Sequence, residues 1–113
     1  MPKYLFHGSY TLDGVRGLLK VGGSSRKAHF EKNVGNLGGR VEVFYYAFGA
    51  DDIYAIADLP DNVSSSALSL ALNTGGGFKV STVVLLSTDE VDKAVQKAPS
   101  VGYNPPGSEP SVV

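Results

Sequence analysis

Four short runs of β-branched and aromatic residues punctuate the chain and predict four β-strands. They span residues 3–10, 40–48, 53–59 and 78–86, and glycines, prolines or acidic residues bound most of them. Only four residues, from Gly49 to Asp52, separate the second run from the third. Such a short connection predicts that these two strands form a hairpin.

Between the first and second strands, apolar residues recur with helical spacing. Residues 15–19 place them at i, i+3 and i+4, but neighbouring glycines favour only one or two turns followed by a break. A longer helix is predicted to begin after Ser24 or Ser25 and to end at Leu37, where two glycines follow.

Two more helices are predicted on either side of the last strand. Residues 63–73 are apolar nearly all round, which predicts a helix buried on more than one side. Ser87 and Glu90 have the spacing of a capping box and predict a short helix that ends near Lys97. Residues 98–113 are rich in Pro, Gly and Ser, so we expect one domain over residues 1–97 and a tail after it.

The predicted order is βαβ followed by βαβ, which is an α+β arrangement. Because crossovers between parallel strands are right-handed, the two units interleave into a four-stranded antiparallel sheet with the main helices on one face. This is the ferredoxin-like fold. Its second sheet face has no cover within one chain.

Strict alternation along the second and third strands assigns their side chains to the two faces. The set expected toward the helices comprises Val41, Val43, Tyr45, Ala47, Ile53, Ala55, Ala57 and Leu59. The set expected on the open face includes Phe44, Tyr46, Tyr54 and Ile56. An aromatic open face predicts packing against the sheet of a second copy, as a homodimer or a higher homo-oligomer.

Composition excludes several classes of protein. The chain has 113 residues, a formal charge of -1 and no cysteine, so disulfides, zinc-thiolate sites, iron-sulfur clusters and thiol nucleophiles are absent. No basic run can neutralise a row of phosphates, and no apolar run approaches the roughly 18 residues that span a bilayer. We therefore expect a cytoplasmic protein with no cofactor, no bound metal, no nucleic-acid partner and no membrane partner.

A family resemblance lies in the segment Ile-Tyr-Ala-Ile-Ala-Asp-Leu-Pro-Asp at residues 53–61, which resembles the third strand of the GYD domain family. The resemblance covers roughly residues 3–88 and includes the helix with Arg26 that ends Leu37-Gly38-Gly39, the aromatic second strand and the helix with Ala-Leu-Ser-Leu-Ala at residues 67–71. The family is named for a glycine, a tyrosine and an aspartate before this strand; here the glycine and aspartate are present and the tyrosine is not.

The GYD family is similar in pattern to the dimeric α/β-barrel proteins. These include cofactor-free monooxygenases, isomerases, cyclases, haem enzymes and ligand-sensing domains. The resemblance therefore implies a dimeric α/β barrel and leaves the activity open, because one fold hosts many functions.

His7 and Tyr45 are the candidate catalytic residues. An imidazole can accept and donate a proton near neutral pH, and we expect His7 to lie in a pocket between the sheet and the helices. Tyr45 is expected to point toward the same helices and to supply a hydroxyl group. The sequence places no second titratable residue within evident reach of His7, so a purely structural histidine is the main alternative.

Tyr10, Arg26 and Asp58 are the candidate ligand-binding residues. Tyr10 can supply a hydroxyl group, Arg26 belongs to a small basic rim that attracts anions, and Asp58 is an acid near the end of an apolar strand. A solvated or paired side chain is the alternative for each of them. Asp51 and Asp52 are assigned to turn chemistry.

Three functional hypotheses remain open at this point. The first is a small ligand-binding or accessory protein of the dimeric α/β-barrel type. The second is a cofactor-free oxygenase, isomerase or cyclase in which His7 and a tyrosine transfer protons. The third is a purely structural oligomer.

Overall fold

The structure, a computed structural model, describes residues 1–108. Its elements follow in the order β1 (Lys3–Tyr10), α1 (Leu12–Val21), α2 (Gly23–Asn36), β2 (Arg40–Tyr46), β3 (Ile53–Asp58), α3 (Asn62–Thr74), β4 (Phe78–Leu85) and α4 (Thr88–Lys97), with a short 3-10 helix (Ala98–Val101) at the end. All four predicted strands are present, and the last residues of the predicted tail, 109–113, lie outside the described part. No helix in residues 1–108 is long and apolar enough to cross a membrane.

The strands form one antiparallel sheet in the order β2-β3-β1-β4. In the centre, Phe6 of β1 lies opposite Ala55 of β3 and Thr82 of β4. α2 packs beside β2, and α3 packs beside β4 on the same face. The prediction of an α+β, ferredoxin-like fold with its helices on one face is confirmed.

Alternate residues of the central strands meet the helices in one core. Its buried members are Tyr4, Phe6, Val34, Ala57, Leu59, Leu68 and Val80. Gly8 continues the inward row of β1, and a Cβ atom at this position would overlap the carbonyl oxygen of Lys79 on β4. The close approach of β1 and β4 at Gly8 therefore requires a glycine.

A β-bulge in β2 changes which side chains face the helices. Val41 lies opposite Ala57, but Val43 lies opposite Ile56, so β2 advances by two residues where β3 advances by one. Glu42 is the extra residue. After one added residue, every following side chain changes face, because the side-chain period of a strand is two.

The bulge corrects the predicted faces of β2. Phe44 and Tyr46 lie opposite the helix-facing Ala55 and Ile53, whereas Tyr45 lies opposite Tyr54 on the open face. The prediction that Tyr45 points toward the helices was wrong, as was the placement of Phe44 and Tyr46 on the open face. The assignment failed because strict alternation was assumed across Glu42.

The helices differ from the predictions in three respects, the first being that α2 begins at Gly23, before the predicted caps Ser24 and Ser25. α1 has ten residues rather than one or two turns, and Gly17 lies within it without breaking the helix. The break comes at Gly22, whose positive φ of 83° separates α1 from α2. α3 buries Ser65 and Leu68 on one side only, so the prediction of burial on several sides was wrong for the single chain.

α4 extends away from the sheet and helices. The predicted capping box is confirmed, since the side chains and backbone N–H groups of Ser87 and Glu90 satisfy each other. Every residue of α4 is exposed, and its main contacts are with the 3-10 helix that follows. The radius of gyration is 19.0 Å, well above the roughly 13 Å typical of a compact domain of this length.

Candidate functional site

A small cavity lies between the sheet and α2. It has a volume of about 50 Å³, and its apolar wall consists of Phe6, Phe30, Phe44, Ile53, Ala55, Leu72, Phe78 and Val80. The ring centroid of Phe30 lies 5.8 Å from that of Phe6 and 5.7 Å from that of Phe44, with the rings inclined to each other. A wall of inclined aromatic rings is suited to flat apolar groups.

Three polar side chains, Tyr10, Arg26 and Asn33, also line this cavity. The pKa of Tyr10 is raised to about 12, chiefly by burial and in addition by the neighbouring Tyr46, while Arg26 partly opposes the rise. Tyr10 is therefore a protonated hydrogen-bond donor at neutral pH. Within residues 1–108, no carboxylate lies within 4.0 Å of the Arg26 guanidinium. Together these two donors can hold an anionic oxygen.

A larger cleft of about 350 Å³ adjoins the cavity and shares Tyr10 and Arg26 with it. α1 forms one side of this cleft, and none of its residues is buried. The N–H of Thr11 donates to the carbonyl of Gly77 at 3.1 Å, and a Cβ atom on Gly14 would overlap the same carbonyl. α1 is therefore held closely at its first turn and loosely beyond it.

A second group of polar residues lies on the open sheet face. Nδ1 of His7 lies 2.6 Å from Oδ2 of Asp51. Ser9 donates to the backbone carbonyl of Ala50 at 2.9 Å and to Oδ1 of Asp51 at 3.3 Å. The Asp51 carboxylate fixes the orientation of the imidazole and leaves Nε2 as the nitrogen that can exchange a proton.

Aromatic residues extend from this histidine across the sheet. The ring of Tyr54 stacks on His7 with a centroid distance of 6.1 Å and an angle of 12°. Tyr54 in turn lies opposite Tyr45 in the register of β3 and β2. Because adjacent strands are roughly 4.8 Å apart, Tyr45 is roughly 10 Å from His7 across the sheet. The two predicted catalytic residues share a face but do not touch.

Asp58 belongs to an ion-pair network at the opposite end of β1. Its carboxylate lies 2.8 Å from Nζ of Lys3 and 3.4 Å from Arg40, and Lys3 also pairs with Glu42 at 2.6 Å. The hydrogen bond from Lys3 holds the pKa of Asp58 below its usual value, and Arg40 adds to this. Lys3 and Tyr10 are seven residues apart along β1, or roughly 23 Å, so Asp58 is remote from the cavity.

The structure thus divides the predicted site residues into three places. Tyr10 and Arg26 meet at the cavity between sheet and helices. His7 lies on the open face with Tyr45, so the expectation of a pocket between sheet and helices was wrong for both. Asp58 lies in the distant ion-pair network. His7 follows Phe6, which faces the helices, and neighbouring strand residues point to opposite faces.

The GYD domain family model matches residues 4–95. The chain belongs to the GYD domain family. No curated protein and no solved structure gives a significant match. The matched range of the GYD domain contains both the cavity and the His7–Asp51 pair, and the predicted family membership is confirmed. The family description assigns no substrate, so the site of this GYD domain has to be interpreted from its geometry.

Sequence reasoning missed two residues of the GYD domain. The sequence placed no second titratable residue within evident reach of His7, but Asp51 of the hairpin loop lies 2.6 Å from it. The antiparallel pairing of β1 with β3 was the available signal, since it brings the end of β1 beside the start of β3. Asn33 could have been found from its helical spacing to Arg26 and Phe30, at i+7 and i+3.

Proposed function

We propose that this GYD domain protein binds a small, flat, mainly apolar molecule that carries one anionic oxygen group. The observation that supports this is the combination of four phenylalanine rings in one cavity with Arg26 and Tyr10 at its rim. The rings would bury the flat part of the ligand, and the two donors would bind its oxygen atoms. Binding sites for small molecules commonly combine an apolar wall with a few polar groups in this way.

The size of the cavity limits how the ligand can fit. A dry cavity that accepts benzene measures about 150 Å³, whereas this one measures about 50 Å³. The ligand must therefore extend into the adjoining cleft of about 350 Å³ under α1. α1 buries no residue of its own, so its displacement exposes little apolar surface. We expect the ligand to lie across Tyr10 and Arg26, which line both spaces.

Benzoate and its neutral isostere benzamide test this proposal. We expect benzoate to shift the backbone amide resonances around Phe30 and Phe78 in the millimolar range, and benzamide to bind at least tenfold more weakly. Arg26→Gln should weaken benzoate binding about tenfold or more, because it removes the positive charge of the guanidinium group at the rim. Lys27→Gln, which removes the same charge from the next position of α2, is the matched control. The proposal would be contradicted if benzoate and benzamide each bound to Arg26→Gln with the same affinity as to native protein.

We also propose that the protein is a homodimer whose subunits pack through the open sheet face. After correction for the bulge, the apolar residues of this face are Leu5, Val43, Tyr45, Tyr54, Ile56, Val83 and Leu85. Tyr45 is 69% exposed in the single chain. Burial of such a face in a second copy would contribute about 25 cal/mol per Å² of apolar surface, and an uncovered apolar sheet face is unusual in a monomer.

Sedimentation velocity at micromolar concentration tests the sheet contact. Native protein should sediment as a dimer or a larger oligomer, and Tyr54→Asp should abolish the sheet contact, because it would bury an unpaired charge at the centre of the face. Leu19→Asp on α1 introduces the same charge at an exposed apolar position away from the sheet and should leave assembly unchanged. A native monomer at this concentration, or a Tyr54→Asp assembly that dissociates on dilution at the same concentration as native protein, would refute the contact.

A second candidate function is proton transfer by His7, and the 2.6 Å contact with Asp51 favours it. A carboxylate that orients an imidazole is the usual arrangement around a histidine base. In this hypothesis a tyrosine of the open face, Tyr54 or Tyr45, orients the substrate. The proton is transferred at Nε2 of His7 in this hypothesis.

The probe for a general base is 5-nitrobenzisoxazole. A base removes the proton from its ring C–H, the N–O bond breaks, and the electron pair ends on a coloured phenolate oxygen. His7→Gln should lower the rate roughly 100-fold, whereas His29→Gln, at an exposed position of α2, should leave it unchanged. A loss of melting temperature in His7→Gln with no loss of rate would instead assign a structural role to the histidine.

A further inference from the structure

α4 carries an apolar stripe that nothing in residues 1–108 covers. Val91, Ala94 and Val95 follow an i, i+3, i+4 pattern, which Ala98, the first residue of the following 3-10 helix, continues at i+7; the charged residues of α4 occupy the other side. Val91 is 45% exposed and Val95 is 64% exposed. An isolated helix shorter than about 12 residues is marginal in water. The ten residues of α4 therefore need a packing partner.

A second uncovered stripe lies on α3. Val63, Ala67, Leu70 and Ala71 follow an i, i+4, i+7, i+8 pattern on the side opposite the buried Leu68. Val63 is 78% exposed and Leu70 is 67% exposed. This stripe explains why the sequence of α3 is apolar nearly all round, although the single chain buries only one side of it.

We propose that α4 of one copy packs against the outer stripe of α3 of a second copy. Each chain carries one stripe of each kind, so a reciprocal exchange about a two-fold axis covers all of them and leaves none exposed. A specific interface buries at least about 1,200 Å² in total, and the reciprocal exchange doubles the area that a single helix contact would bury. Own-chain packing is the less favoured alternative, because α4 makes its main contacts with the 3-10 helix that follows it, whereas α3 makes its main contacts with β4.

The chemistry of the two stripes agrees with this pairing. α3 carries no charged side chain over residues 62–74, so an approaching apolar stripe meets no charge. Both stripes consist largely of alanine and valine, and such short side chains allow helix axes to approach to about 8 Å. The charged side of α4, with Asp89 and Lys93, remains in water.

A groove beside the α3 stripe is incomplete in the single chain. It measures about 460 Å³ and is lined by Tyr4, Asn62, Ser65, Ser66, Ser69, Leu70, Thr82 and Val84. The hydroxyl groups of Ser65 and Thr82 are buried in it without a hydrogen-bond partner. Leu70 belongs to both the groove and the stripe, so a helix on the stripe closes this side of the groove.

Engineered cysteines test the exchange, because the native chain contains no cysteine. Ala67→Cys on α3 and Ala94→Cys on α4 are made in separate chains, one of them labelled with ¹⁵N, which are then unfolded together, refolded and oxidised. We expect a disulfide-linked pair of one labelled and one unlabelled chain in non-reducing electrophoresis and mass spectrometry. The bond forms only when the two Cβ atoms approach to about 4 Å. Both substitutions lie at exposed positions, so folding is retained.

Lys93→Cys on the charged side of α4 is the matched control and should give at least tenfold less of the mixed disulfide with Ala67→Cys. Absence of the mixed disulfide overturns the proposal. So does a bond that forms only within one chain in the Ala67→Cys, Ala94→Cys double variant, or only between two copies of Ala94→Cys. Repeating the experiment with Tyr54→Asp separates this contact from the sheet dimer, because the exchanged helix should cross-link even after the sheet contact is lost.

Discussion

Phe44 and Tyr45 are neighbours in sequence but should respond in opposite ways to substitution by alanine. The bulge at Glu42 places Phe44 against the helices and leaves Tyr45 on the open face. A strand without the bulge would place them the other way round. Comparison of the two alanine variants therefore tests the bulge itself.

The magnitudes follow from the surroundings of each ring. Phe→Ala at a fully buried site costs about 3–5 kcal/mol. Phe44 is half-buried but forms ring contacts with Phe30 at 5.7 Å and with Tyr46 at 5.3 Å, and each such pair contributes about 0.5–1.5 kcal/mol. We therefore expect Phe44→Ala to lower the free energy of unfolding by about 2–3 kcal/mol. Tyr45 is 69% exposed in the single chain, so Tyr45→Ala should change it by about 0.5 kcal/mol or less.

Urea unfolding followed by circular dichroism measures both values. It is carried out at several protein concentrations, because association stabilises the folded chain more strongly as the concentration rises. Substitution of a residue in a subunit contact therefore costs more stability at high concentration. Phe44→Ala should show its full cost in the most dilute sample, and the cost of Tyr45→Ala should grow with concentration. If Tyr45→Ala is the more damaging variant in the dilute sample, β2 has no bulge at Glu42 and the assignment of faces fails.

Three further predictions concern the sheet and its titrating groups. Gly8→Ala should lower the free energy of unfolding by about 3 kcal/mol or more, because its Cβ would overlap the backbone of β4. In the control Gly17→Ala, the added Cβ would meet nothing within 4 Å. This control should raise the free energy of unfolding by about 0.5–1 kcal/mol, as measured by thermal melting. Asp58 has a lowered pKa in the folded state. Its ionised carboxylate therefore contributes to the free energy of unfolding in full above the unfolded pKa of about 3.9, and this contribution is lost as the pH falls through the lower folded pKa. Asp58→Asn should therefore flatten the decline of the urea midpoint below pH 4, and an unchanged decline would contradict the ion-pair network. The pKa of Tyr10 is raised to about 12, so its contribution to the free energy of unfolding is complete below pH 10 and is lost as the pH rises through 12. Tyr10→Phe should remove one tyrosinate titration step near pH 12 in absorbance at 295 nm. Loss of a step near pH 10 instead would show that this phenol is not buried.

The sequence was sufficient for the strand order and the family because these depend on local pattern. Turn residues bound the strands, and right-handed crossovers leave only one simple way to interleave two βαβ units. The faces of β2 were not predictable in the same way. One inserted residue, Glu42, exchanges the sheet faces on which Phe44 and Tyr45 lie, and nothing in the local composition marks the position of a bulge.

The candidate site was predicted only in part for a related reason. Tyr10 and Arg26 were chosen for their chemistry, and the fold brings them together across β1 and α2. The pairing of His7 with Asp51 depends on the end of one strand meeting the loop before another, a contact between residues 44 positions apart. Single-sequence patterns report neighbours along the chain, so contacts of this kind require the tertiary register.

Asp51 and Asp52 give the hairpin loop an effect on both sides of the sheet. Asp51 bonds to His7 on the open face, and the next residue, Asp52, accepts the N–H of Tyr10, whose side chain lines the cavity on the other face. One peptide unit thus links the orientation of the histidine to the position of the tyrosine. A ligand of the proposed kind that moved the end of β1 would move both carboxylates together. We therefore expect a cavity variant to affect His7 without any direct contact between them.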